Sequence, residues 1–108
     1  MANKFIIVTK DHYIGELRFG MVDLHRDLKS RNESVYGGGT FEIDENKKIL
    51  KLSGRSDDFG LPIFDGWDKL KISDDWKGFK IIYTYPYGCK HDGEVIDLTN
   101  KLEYDEDI

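Results

Sequence analysis

With a single cysteine, Cys89, this chain has no internal disulfide, and cysteine used so sparingly fits a reducing cytoplasm. It also lacks any apolar run near the roughly 20 residues that a membrane-spanning helix needs. The run Phe5-Ile6-Ile7-Val8 is too short for a signal-peptide core, so the expectation is a cytoplasmic protein with no membrane partner. Positive charge is the scarcer sign: 16 Lys and Arg against 21 Asp and Glu leave a formal net charge of −5. Duplex nucleic acid needs clustered positive potential and is a poor partner, whereas a small anion held in a local pocket is not excluded. Gly-x-x-x-x-Gly-Lys-Ser/Thr, strand-anchored Gly-x-Gly-x-x-Gly, His-Glu-x-x-His and Gly-x-Ser-x-Gly are all missing. Cys89-Lys90-His91 is half a metal site with no second Cys/His pair beside it, and His12 stands apart, so neither zinc nor a cofactor is expected.

What is present describes one globular domain spanning residues 1–108, with 39% apolar and 34% charged residues. Residues 4–9 and 13–19 read as strands. From Met21 the pattern turns helical, with Met21, Leu24 and Leu28 on one face up to Asn32. Residues 40–43 and 49–52 alternate as a hairpin around Asp44-Glu45-Asn46-Lys47, where Asn46 suits a left-handed turn. A weaker helix is expected over residues 63–70 with Asp65 as N-cap, then strands over 79–85 and 94–98, and a solvated acidic tail from Glu103. The order predicts an α+β fold, a mixed sheet of about six strands with two helices packed on it.

Three consecutive glycines, Gly37-Gly38-Gly39, run into Thr40 and the hairpin, and Ser53-Gly54-Arg55-Ser56-Asp57-Asp58-Phe59-Gly60 answers them at its other end. Glycines in this setting either relieve crowding at a strand or expose backbone N–H groups to an anion. Trp67, Trp76, Phe79, Tyr83, Tyr85 and Tyr87 make the second half aromatic, either as core or as a surface on which a base or peptide stacks.

These residues together resemble the Janus/Ocnus family, of the protein-histidine phosphatase type. Lys4 with its apolar run is similar to the family's first strand, the triple glycine to its glycine motif, and Gly54 to Pro62 to its Gly-Tyr-Ser-x-x-Tyr-Gly-Pro loop. The resemblance implies a phosphohistidine phosphatase-like fold and a phosphate pocket. Met21 stands where the family has its histidine, and Thr40 replaces the family's arginine. A thioether cannot act as base or nucleophile. The expectation is therefore a binding protein that holds a small phosphorylated or anionic ligand without turnover. Its pocket would be lined by Lys4, Met21, Gly37, Gly38, Gly39, Thr40, Arg55 and Ser56. Rival readings are a phosphatase using His25, one helical turn beyond Met21, a hydrolase using Asp23, Asp57 or Asp58, and an interaction module, including a homodimer paired through an edge strand.

Overall fold

The run Lys4 to Thr9 sits in strand β1 (Ala2–Asp11), which folds back on β2 (Ile14–Val22) as a long antiparallel hairpin with Asp11 opposite Ile14 and Ala2 opposite Val22. The computed structural model describes residues 2–11 and 13–106, apart from the side chain of Lys10; His12 lies outside the described residues. Phe5 and Ile7 face one side of β1 and Ile6 and Val8 the other, and all four are buried, as expected of a central strand with no polar alternation. β3 (Ser34–Asp44) covers the other edge of β1 and turns into β4 (Ile49–Ser53), with Thr40 opposite Ser53 and Asp44 opposite Ile49. In that turn Lys48, at φ 54°, takes the left-handed conformation expected of Asn46. It closes a four-residue loop in which Asp44 Oδ1 accepts the Lys47 N–H at 3.1 Å.

The remaining strands are β5 (Lys69–Ser73), β6 (Lys80–Thr84), β7 (Val95–Asp97) and β8 (Leu102–Asp105). All eight join one curled mixed sheet in the order β7-β6-β4-β3-β1-β2-β5-β8. The pairs β2–β5, β4–β6 and β5–β8 are parallel.

This architecture overturns the α+β expectation of six strands and two helices. Among the described residues the helical segments are three short 3-10 turns, His25–Leu28, Asp74–Trp76 and Thr99–Lys101. The helix expected from Met21 to Asn32, which the phosphatase resemblance also requires, fails at its first residues. Met21 and Val22 pair with Asn3 and Ala2, so the ladder holds them extended. Met21 and Leu24 are exposed, and only Leu28 of the supposed apolar stripe packs, against Gly20. The second expected helix is broken by Gly66 at φ +87°, while Lys69 and Leu70 belong to β5. Asp65 caps nothing there; it is exposed, with Lys101 at 3.7 Å. The acidic end is likewise no solvated tail as far as Asp105, because β8 pairs with β5 and its Leu102 and Tyr104 pack against the core.

The helices are unnecessary because the chain itself closes the concave face. Phe5, Ile7, Leu17, Phe41, Leu50, Leu52, Leu70, Ile72, Ile81 and Tyr83 line it from the sheet. From β4 on, the strands divide between the two flanks, β6 and β7 on one and β5 and β8 on the other, so the connections β4 to β5, β5 to β6 and β7 to β8 cross from flank to flank. They deliver Phe64, Trp76 and Leu98 into the same core. At about 25 cal/mol per Å² of apolar surface, such burial is the main stabilising term.

Candidate functional site

The structure places the sequence-predicted residues in and around β3. Gly37, Gly38 and Gly39 are buried inside that strand, against chain on both sides. A Cβ on Gly37 would lie 2.0 Å from the Leu61 carbonyl oxygen, on Gly38 2.4 Å from that of Phe5, and on Gly39 2.2 Å from that of Ser53. The Gly38 N–H donates to Gly60 O at 3.2 Å. The two glycine-bearing segments thus meet each other directly. Ser56 is buried in the second one, its Oγ accepting the N–H groups of Asp58 at 3.2 Å and Phe59 at 3.1 Å. Lys4 lies between Gly20 and Thr40 on the neighbouring strands, and its Nζ donates to the Asp23 carbonyl oxygen at 2.5 Å. Met21, Asp23, Arg55, Asp57 and Asp58 are exposed.

His25 is buried, and its Nε2 lies 2.8 Å from Gly39 O. A carbonyl can only accept, so Nε2 carries the proton and donates. Its neighbour in this β2–β3 connection is Glu33, also buried, which takes both ends of the Arg18 guanidinium, Nη1 at 2.5 Å and Nη2 at 2.7 Å. Arg18 also reaches Leu28 O at 2.9 Å and the Glu16 carboxylate. Hydrogen bonding to Glu33, then to Glu16, raises the pKa of this guanidinium despite burial. The connection is therefore tied to β3 by one histidine and to β2 by one bidentate ion pair.

A cavity lies elsewhere, at the rim where β1 ends, β3 begins and the 63–67 loop passes. It measures about 510 Å3. Tyr36 and Trp67 meet at one side with ring planes at 90° and centroids 5.1 Å apart. Trp67 is fixed from behind: its indole N–H donates to Ile63 O at 2.9 Å, and its ring lies 3.0 Å from where a Cβ on Gly15 would stand. Ile63 is tied to Tyr36 by an N–H to O bond of 3.1 Å. Tyr13 joins the lining from the β1–β2 turn, where φ 61° is rare for a bulky residue. Its carbonyl holds that turn by accepting from Asp68 N at 2.9 Å and Lys69 N at 3.4 Å. Thr9, Asn32 and Ser34 add polar groups, and Asp11 and Asp65 add carboxylates. No lysine or arginine is among the described residues that line it. Asp11 also borders a second cavity of about 130 Å3, shared with Glu16, Glu33 and Lys71. Among the described residues no group of three His, Cys, Asp or Glu side chains could hold a metal ion. Nor is any helix among them long and apolar enough to cross a membrane.

Of the cavity's rings, only Trp67 stood out in the sequence as a stacking candidate. Tyr13 and Tyr36 carry no local signal, because their exposure depends on a turn and on a loop from a distant part of the chain. The chain matches no model of a known protein family, no curated protein and no solved structure.

Proposed function

We propose that this protein is a non-catalytic binding domain that takes a small molecule in the cavity beside Tyr36 and Trp67. The observation that carries this reading is the cavity's build: about 510 Å3, with an aromatic corner at Tyr36 and Trp67 and polar residues sharing the lining. That combination is typical of small-molecule sites. Trp67 and Tyr36 are held against each other, with the indole bonded to Ile63 O, before any ligand arrives, which lowers the ordering entropy of binding. His25, the nucleophile of the rival reading, is committed to Gly39 O, and the glycine amide of Gly38 to Gly60 O. Both geometries favour structural roles for those residues over phosphate chemistry.

The test is a fragment screen read by the indole N–H resonances, with Trp76→Phe assigning the signal of Trp67. Compounds should move the Trp67 signal in a saturable way, and Tyr36→Ala should abolish that response while the fold persists. A panel of neutral, anionic and cationic fragments that leaves Trp67 unmoved would overturn the reading.

A further inference from the structure

We propose that the cavity recognises an organic cation, a small molecule bearing a quaternary or other alkylated ammonium group; this rests on the cavity being a binding site. Three features of the lining converge on that chemistry. The perpendicular rings of Tyr36 and Trp67 form a corner, and Tyr13 is a third aromatic residue of the lining. An aromatic face attracts a cation through its quadrupole, most strongly where water is displaced. The charged residues of the lining, among those described, are the carboxylates Asp11 and Asp65. Asp65 has Lys101 only at 3.7 Å, with the two side chains 95% and 52% exposed, a loose surface pair that a cationic ligand can replace.

Other ligand charges fit less well. An anion would meet a lining whose described charged residues are both carboxylates. A hydrated metal ion needs clustered oxygen donors, which the described residues do not offer here. A primary ammonium is strongly hydrated and gains less from an aromatic face, whereas an alkylated ammonium loses its water readily and is held by contact with the rings. The net charge of −5 adds a field that draws cations toward the surface. A cavity of about 510 Å3 has room for a molecular body beyond the ammonium head, which favours a small molecule over a bare ion.

The test compares choline with its uncharged isostere 3,3-dimethyl-1-butanol by calorimetry and by the Trp67 indole resonance, on the full chain. Choline should bind about tenfold more tightly than the isostere, the discrimination expected of a partly desolvated cation–π site. Tyr36→Leu and Asp11→Asn should each weaken choline several-fold, and raising salt from about 0.02 M to about 0.5 M should weaken it in the parent. Tyr87→Leu, at an 87% exposed position outside the cavity, should leave binding unchanged. Equal binding of choline and isostere, both moving Trp67, would overturn the cation assignment and leave the cavity reading intact. Failure of every probe to move Trp67 would remove both. Binding of a trimethyl-lysine peptide without binding of choline would overturn the small-molecule assignment.

Discussion

His25 and Gly39 are joined across 2.8 Å by a hydrogen bond from the imidazole Nε2–H to the glycine carbonyl, and the same ring edge lies 3.1 Å from the point a Cβ on Gly38 would occupy. The histidine therefore packs into space that glycine leaves. Replacing it removes both a donor and a filling group from a buried place. His25→Ala should cost about 1–3 kcal/mol, the range for a buried polar group left unpaired. Urea unfolding would measure it. Binding at the Tyr36–Trp67 cavity should survive in the folded fraction, and its loss there would show that the two regions are coupled.

Gly38 and Gly78 separate two reasons for glycine. At Gly38 an added Cβ meets the backbone oxygen of Phe5 at 2.4 Å, whereas at Gly78 nothing lies within 4 Å and only φ +86° opposes a side chain. Gly78→Ala should lose about 1–2 kcal/mol, the penalty of a left-handed L-residue. Gly38→Ala should lose more, because backbone cannot swing aside as a side chain can. Thermal denaturation of the pair decides, and an equal loss would contradict the crowding argument.

The Arg18–Glu33 pair should behave as a buried ion pair does when one member is taken away. Side-chain exposure is 23% for Arg18 and 1% for Glu33, so without Glu33 the guanidinium keeps Glu16 and Leu28 O and regains some water. Glu33→Ala should therefore destabilise by about 2–4 kcal/mol, somewhat under the ~3–5 of a wholly buried pair. Hydrogen exchange should show the 23–33 connection opening first, since the Ser30 N–H also loses its bond to Glu33 Oε1.

Alkaline pH should destabilise the fold through the buried Tyr83 and the half-buried Tyr85 and Tyr104. Burial raises the pKa of Tyr83, and burial is also the largest cause of the rise at Tyr85 and Tyr104. The unfolded chain then releases these protons earlier than the native one. Stability is held below the ordinary tyrosine value of about 10 and falls as pH climbs above it. Tyr83→Phe should remove part of that fall, and should cost about 1 kcal/mol at neutral pH because the Tyr83 hydroxyl donates to Gly54 O. Phenolate absorbance and circular dichroism, followed together, report the two events.

The sequence by itself determined the strands whose pattern is local. Phe5-Ile6-Ile7-Val8 is apolar on both faces and became the central strand; the alternation around Phe41 and Leu52 became a hairpin. Lys69-Leu70-Lys71-Ile72 and Leu102-Glu103-Tyr104 alternate just as plainly, yet one adjoined a helical pattern and the other an acidic run. Only tertiary pairing decided them, because β5 and β8 gain their hydrogen bonds from partners distant in sequence. The spacing of Met21, Leu24 and Leu28 fits a helix face, but it equally fits a strand end followed by a turn, and the ladder with β1 settled the matter. The candidate site divides in the same way. The close approach required at the three glycines was written in the residues, since only glycine lacks the Cβ that would collide. Whether an anion or another strand came that close was not. The cavity is wholly a product of the tertiary structure, since Tyr13, Tyr36 and Trp67 come from three separate segments that meet only once the sheet has curled.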